Sequence, residues 1–448
     1  MASAPYDRPM ALAHAGPVAD DWASVSAWAR SGAMGLGGSP EGLPPCLPPV
    51  GLVARIESLV SEIEELTRRR GRPVSLSWAA ALAGRADFMD LRRRGQVSAN
   101  GSCRLLPTLD GWVALNLPRP DDLELIPALV GGVVGDPWEA VAAEASGVSS
   151  DELVARARLL GLAASVLPTP EADSVVEQPY ELIDCWSKGP ADADGPVRVL
   201  DLSPLWAGPM VTRVLAESGA EVTRLVSTGR HEGAALGTPF YRWIHSPRES
   251  RVEVDLRTPV GRRDAATLIS EADVVIEGSR PRALEQLGLG PGSYSDRTAR
   301  VWLSVTGHGR RAPGRDWIAF GDDAAVAGGL VAADQKGRPA FVGDAIADPL
   351  TGLTGALAVL RSLASGGGGL IDLSMSKVAA TMAASGEGAS VAPRGRALDG
   401  VATVESGDDG SWLVRSGGRT EAVRDRPETA EWITGEGSGT NQEDENRS

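Results

Sequence analysis

The sequence predicts an α/β protein, with a parallel, doubly wound sheet in a large domain and a smaller α+β domain beside it. Three observations carry that expectation. From Val197 onward, short apolar runs alternate with helical patterns, as in a parallel sheet crossed by helices. In the N-terminal half, Asp110-Gly111 separates two apolar runs and marks a hairpin outside that sheet. The 448 residues, 42% of them hydrophobic, are enough for two or three buried cores.

Residues 1–20 read as a loose start, followed by a helical stretch and a Pro-rich break at residues 40–49. From Val53, the apolar residues Ile56, Leu59, Val60, Ile63 and Leu66 fall at helical spacing among four glutamates. Arg68-Arg69-Arg70-Gly71 then supplies a basic last turn and a glycine stop. The hairpin follows, then short helical patterns to Leu167 and a polar connector ending at Gly195. Beyond it, strands are expected over residues 197–202, 221–226, 252–256, 273–277 and 301–305. Helices are expected over 210–218, 258–269 and 282–287, with Thr258 as cap and Pro259 in the first turn. The tail, residues 435–448, is polar enough to be disordered.

Composition excludes several functions. A net charge of −15 works against a general nucleic-acid or anionic-membrane surface. Cys46, Cys103 and Cys185 lie far apart without CxxC spacing, so neither a disulfide framework nor a zinc knuckle is indicated, and a reducing cytoplasm fits. Four histidines without an HxxxH pair argue against a histidine metal site. Neither a leader pattern nor an 18-residue apolar run is present, so no secreted or membrane-spanning chain is expected.

Part of the chain echoes itself. Val74-Ser-Leu-Ser-Trp78 and Ile371-Asp-Leu-Ser-Met375 share a pattern, each after a helix and a glycine-bearing turn. Carried back at the same spacing, 297 residues (371 − 74), Gly51 falls on Asp348 and Gly32 on Gly329. A duplication predicts that one copy bears a carboxylate where the other bears glycine.

Asp348-Pro-Leu-Thr-Gly352 opens a helix expected to reach about Leu363. Asp before Pro is ordinary capping chemistry. The same position also keeps a carboxylate ionised beside exposed amides, ready to act as a nucleophile. The turn Leu202-Ser-Pro-Leu-Trp-Ala-Gly-Pro209 occupies the ligand-binding crest of a doubly wound sheet but lacks GxGxxG, which argues against NAD or FAD. The glycine run 366–369 reads as a helix stop. His308 reads as a polar loop residue with a possible catalytic use, and Asp322-Asp323 as a solvated turn.

Several ordered motifs carry a resemblance. Val199-Leu-Asp-Leu-Ser-Pro-Leu-Trp-Ala-Gly-Pro209, Leu215-Ala-Glu-Ser-Gly-Ala-Glu-Val222 and Val254-Asp-Leu-Arg-Thr-Pro-Val-Gly261 are the first three. Ala272-Asp-Val-Val-Ile-Glu-Gly-Ser-Arg-Pro281, Leu284-Glu-Gln-Leu-Gly-Leu-Gly290, Ser304-Val-Thr-Gly-His-Gly309 and Asp348-Pro-Leu-Thr-Gly352 follow. Together they resemble the class III CoA-transferase family, which includes formyl-CoA and carnitine CoA-transferases and α-methylacyl-CoA racemase. Ala29-Arg-Ser-Gly-Ala-Met-Gly-Leu36 and Asp110-Gly-Trp-Val-Ala114 resemble later parts of the same family, so its two halves stand in inverted order here.

The resemblance implies a large Rossmann-like domain over residues 197–395. It also implies a degenerate second-half-like segment over 21–190 containing the small domain, and a small-domain remnant over 396–434. It implies an acyl-CoA transferase that moves CoA between a thioester and a carboxylic acid through an aspartyl intermediate at Asp348. Acyl-CoA would be a substrate, with no permanently bound cofactor and no metal. Pro204, Trp206, Ala207, Arg224, Ser279 and Arg280 would bind CoA, with Arg248 or Arg251 for its phosphates. A homodimer, interlaced as in the family it resembles, is the expected assembly. Two alternatives remain: a racemase or isomerase of 2-substituted acyl-CoA, or a non-catalytic CoA-binding partner subunit. The racemase's Gly-His-Asp aligns with Gly321-Asp322-Asp323, where the histidine is missing.

Overall fold

A computed structural model describes residues 22–132, 135–168, 178–186, 195–228, 238–293, 301–384, 402–424 and 431–435. The loose start, the end of the connector, nearly all of the tail and residues 396–401 lie outside the described residues.

The N-terminal half begins with α1 (Trp22–Arg30), α2 (Leu52–Arg69), β1 (Val74–Leu76) and α3 (Trp78–Phe88). In α2 the stripe Ile56, Leu59, Val60 and Ile63 is buried, as its spacing requires, and Gly71 ends the turn with φ 74°. The hairpin forms as β2 (Cys103–Pro107) and β3 (Trp112–Asn116). Helices α4 (Pro120–Glu124), α5 (Ile126–Val130), α6 (Pro137–Ala145) and α7 (Ser150–Leu159) follow, and β4 (Ala163–Val166) completes an antiparallel sheet over its own core. This is the small α+β unit.

After β5 (Tyr180–Cys185) come β6 (Arg198–Leu202), α8 (Ala207–Glu217), β7 (Glu221–Ser227), α9 (Pro239–Ile244) and β8 (Ser250–Val254). Next are α10 (Pro259–Glu271), β9 (Val274–Glu277), α11 (Pro281–Gln286), β10 (Val301–Thr306) and α12 (Gly321–Ala327). The short hairpin β11 (Val331–Ala333) and β12 (Pro339–Phe341) leads to α13 (Ala347–Ala364), β13 (Gly369–Ser374) and α14 (Met375–Ala383). Three short strands, β14 (Thr403–Ser406), β15 (Trp412–Ser416) and β16 (Arg419–Ala422), form a meander, and β17 (Ile433–Gly435) pairs back with β1.

The main sheet runs β8-β7-β6-β9-β10-β13-β5, parallel throughout except for β5 at one edge. Both faces are covered, which explains the nearly continuous apolar strands. Leu200, Val275 and Trp302 pack on one face with Ala265 and Ile269 of α10. Val199, Val274, Ile276 and Leu303 pack on the other with α8 and α13. Helix α13 approaches α8 through Gly352 and Gly355. A Cβ at Gly355 would lie 2.8 Å from Val211 Cγ2 and 2.9 Å from Leu373 Cδ2.

Three expectations are corrected. Helix α13 starts two residues earlier than the Asp-Pro signal implies: Ile346 occupies the cap position and Asp348 lies inside the first turn, its carboxyl turned to another element. Asp322 and Asp323 are not a solvated turn but are buried in the first turn of α12. Strand β5 falls in the expected connector, because an edge strand half-open to water mixes polar and apolar residues.

Gly355→Val places branched carbon in the α8–α13 contact. A loss of about 1–3 kcal/mol is expected, read as a lowered denaturant midpoint with an unchanged slope.

Candidate active site

The order of strands reverses between β6 and β9, and the crevice beyond their carboxyl ends is where open α/β sheets bind ligands. The loops after β6, β9 and β10 meet there with the starts of α12 and α13. They enclose a cavity of about 690 Å³, lined by Pro204, Trp206, Ser279, Arg280, Asp322 and Asp348. Arg85, Asn100 and Asn116 reach it from the N-terminal half. Two non-glycine residues with left-handed backbone, Leu205 (φ 71°) and Ala345 (φ 43°), also line it. Such strain persists only where the surroundings over-determine it.

Asp348 opens onto this cavity while its remaining surface is enclosed. Its carboxyl accepts the backbone N–H of Gly321 at the head of α12. Only glycine fits at that position, since a Cβ would lie 2.4 Å from Asp348 Oδ2 and 2.3 Å from the Ala345 carbonyl oxygen. Burial pushes the Asp348 pKa up to about 7. The Arg85 charge opposes that rise, as does the Gly321 N–H, while Asp344 and Asp323 add to it.

Asp322 Oδ1 accepts the Ala345 N–H at 2.9 Å, and Asn100 Nδ2 donates to Oδ2 at 3.4 Å. Burial, with Asp344 nearby, raises its pKa to about 8. Asp323 accepts the Phe320 N–H and Asn116 Nδ2, each at 2.9 Å, and burial raises its pKa to about 6. The Arg85 guanidinium lies among these carboxyls, and the Arg158 charge acts on Asp323. Arg85 Nε and Nη2 donate to the two oxygens of Asp344 at 2.7 and 2.5 Å, and its Cζ sits 5.0 Å from the Trp206 ring centroid. Burial works against its charge, but Asp344, Asp322 and Asp348 prevail and hold its pKa above the ordinary arginine value.

Of the residues singled out from sequence, Pro204, Trp206, Ser279, Arg280 and Asp348 converge on this one cavity. Ala207 opens α8 directly behind Trp206 and is buried. Arg224 does not reach the cavity: it is buried, and its Nη1 donates to Asp201 Oδ2 at 3.0 Å. Arg248 faces Glu217 at 3.6 Å and Arg251 pairs with Glu253 at 2.7 Å. Neither lines the cavity, because β7 and β8 lie on one side of the point where the strand order reverses. His308 packs edge-on to Trp317 at 5.5 Å, and burial followed by the Arg158 charge lowers its pKa to about 4, so the ring is neutral. Sequence reasoning missed Arg85, Asn100 and Asn116. It saw Asp322 and Asp323 only as adjacent aspartates.

Among the described residues no helix is long and apolar enough to cross a membrane. Residues 195–398 match the sequence profile of CoA-transferase family III. The β subunit of succinyl-CoA–L-malate CoA-transferase from Chloroflexus aurantiacus is 35% identical over 178 residues, covering 37% of this chain and 44% of that protein. Succinate–glutarate CoA-transferase from Agrobacterium fabrum is 28% identical over 202 residues, covering 40% and 50%. A hypothetical protein of solved structure from Mycobacterium tuberculosis is 28% identical with a TM-score of 0.37, covering 41% of this chain and 55% of that one. The chain spans about half the length of the curated relatives it matches. The match includes the loops after β6, β9 and β10 and the start of α13, which together build the cavity wall around Asp348. Through this segment the chain is similar to CoA-transferase family III.

Proposed function

We propose that the chain transfers CoA between an acyl-CoA thioester and a carboxylic acid, with Asp348 as the nucleophile. The observation that carries this reading is the Asp348 carboxyl opening onto a cavity at the point where the strand order reverses. One Asp348 oxygen attacks the thioester carbonyl, the C–S bond breaks, and CoA leaves as thiolate, giving a mixed anhydride. The thiolate then attacks the aspartyl carbonyl and releases the original acid as carboxylate, leaving an aspartyl-CoA thioester. The acceptor carboxylate attacks that thioester, and the returning thiolate takes the acceptor's acyl group and frees Asp348. Each step exchanges one activated acyl bond for another, which suits nucleophilic catalysis by a carboxylate.

Pro204, Trp206, Ser279 and Arg280 would hold the CoA thioester. Trp206 and Ser279 line the cavity, and Trp206 Nε1 and Ser279 Oγ have no hydrogen-bond partner among the described residues. The relatives named for succinyl-CoA with malate, and for succinate with glutarate, support short dicarboxylic acids as the substrate class. The racemase reading has no histidine to rest on: position 322 is aspartate, and His308 is packed and neutral.

Incubation with succinyl-CoA followed by hydroxylamine or borohydride trapping is expected to label Asp348, with Asp348→Asn abolishing both label and turnover. Turnover with Asp348 unlabelled overturns the reading. Gly321→Ala should displace the carboxyl and lower kcat by about 10²-fold, with far-ultraviolet circular dichroism unchanged.

The pH dependences of rate and stability should oppose each other. The nucleophile must be ionised, so kcat should rise with pH through about 7. The folded-state pKa values of Asp323, Asp348 and Asp322, about 6, 7 and 8, lie above the ordinary aspartate value. The folded chain therefore binds more protons than the unfolded one, and the stability this provides is complete below about pH 4 and lost as pH rises through those values. Denaturant midpoints between pH 5 and 9 would show the decline.

A further inference from the structure

The two echoing segments fold alike. At the constant 297-residue spacing (371 − 74), α2 falls on α13, β1 on β13 and α3 on α14. Ser77 and Ser374 occupy corresponding positions, and each caps its helix by accepting an N–H three residues on, from Ala80 and Lys377. Gly71 and Gly368 correspond and share a left-handed backbone, as do Gly32 and Gly329. The strand that follows each copy crosses to the other. Strand β5, after the first, pairs antiparallel with β13, and β17, after the second, pairs antiparallel with β1.

The copies differ in two places. Strand β13 continues into the main sheet through β10, whereas among the described residues β1 has no strand neighbour on that side. Ser77 N–H bonds to Trp432 O, so the Val74 and Leu76 N–H groups point to the opposite edge. There they are taken by α2: Thr67 Oγ1 accepts from Val74 at 3.3 Å and Glu64 Oε1 from Leu76 at 2.8 Å. The corresponding residues in α13, Ala364 and Arg361, make no such contact with β13. The second difference is at the site. Gly51 replaces Asp348, and Arg55 stands where the second copy has Gly352. Its guanidinium donates to the carbonyls of Val50, Met382 and Ala384, and would lie 2.8 Å from any Cβ at position 51.

We propose that residues 22–88 are a built-in partner: one chain contains both members of a reciprocal pair, keeps one working site at Asp348, and is complete without a second copy. The first copy gives Arg85 to the working cavity, its own site is filled by Arg55, and the strand edge that a second large sheet would use is sealed by Glu64 and Thr67. Sealing an unpaired edge with side chains is how proteins prevent strand addition. The homodimer expected from the resemblance is thereby replaced by pairing within one chain.

Light scattering of the full chain at micromolar concentration is expected to give the monomer mass of 46.6 kDa, and the rate per chain should not change on dilution to nanomolar concentration. A stable dimer, or a rate per chain that falls on dilution, overturns the proposal. Glu64→Val with Thr67→Val exposes the β1 edge and should produce concentration-dependent self-association. A double variant that folds and stays monomeric overturns the sealing role, and one that fails to fold leaves the wild-type mass to decide. The number of sites rests on the transferase reading, but the assembly does not. One Asp348 label per chain supports both. A monomer without label overturns the transferase reading alone, and a dimer with label overturns the pairing within one chain alone.

Discussion

The Arg85–Asp344 ion pair is the constraint on which the site depends. Four aspartates, at 322, 323, 344 and 348, crowd around the starts of α12 and α13, and the Arg85 guanidinium from the other half of the chain lies among them. The Asp344 side chain is completely buried, and that of Arg85 is 16% exposed. Deleting one member of such a pair leaves the other as an uncompensated buried charge, a loss of about 3–5 kcal/mol. The pair also has a geometric consequence. It fixes α3 against the loop that precedes α13 and sets the guanidinium over Trp206, so the wall of the cavity and the start of the helix that bears Asp348 are positioned by the same contact.

With Arg85 among the four carboxyls and Arg158 acting on Asp323, the cations near the cluster are fewer than its carboxyls. Asp322, whose pKa lies near 8, is mostly protonated at neutral pH and presents a hydroxyl, which removes one negative charge from the neighbourhood of Asp348. Asp348, near 7, is divided between its two forms. A carboxylate in that range is more basic than one in water and remains ionised often enough to react. The raised value is therefore compatible with a nucleophile, provided Arg85 keeps the anionic form accessible.

The main sheet was legible because strands buried on both faces read as continuous apolar runs, as in Val274–Glu277 and Val301–Thr306. Asp348 was legible because Asp before Pro at the start of an apolar helix is a local signal, although its carboxyl serves the cavity rather than the cap. Arg85 was not. An arginine in the last turn of a helix reads as a complement to the helix dipole, and its partner Asp344 lies far along the chain. Arg224, which the resemblance assigns to CoA, pairs inside the core with Asp201 on the adjacent strand, a contact that no local pattern signals. Pairings between distant segments leave no periodicity, so a one-dimensional pattern cannot register them.

The comparison of the two copies separates what the helix–strand–helix unit needs to fold from what places a carboxylate on the cavity. The capping serines 77 and 374 and the left-handed glycines 71 and 368 occur in both, because a helix start and a helix stop require them whatever the unit does. The residues at 51 and 348, and at 55 and 352, differ, because they face different neighbours. Gly352 must be small where α8 packs, with Met210 Cβ 2.7 Å and the Ala207 carbonyl oxygen 2.9 Å from where its Cβ would be. At position 55 the neighbours are Val50 and the end of α14, whose carbonyls accept from the arginine that fills the space. The carboxylate stands in the copy that adjoins the crest of the main sheet and is missing from the copy that does not. The opening of Asp348 onto the cavity therefore follows from the elements placed around the unit rather than from the unit itself.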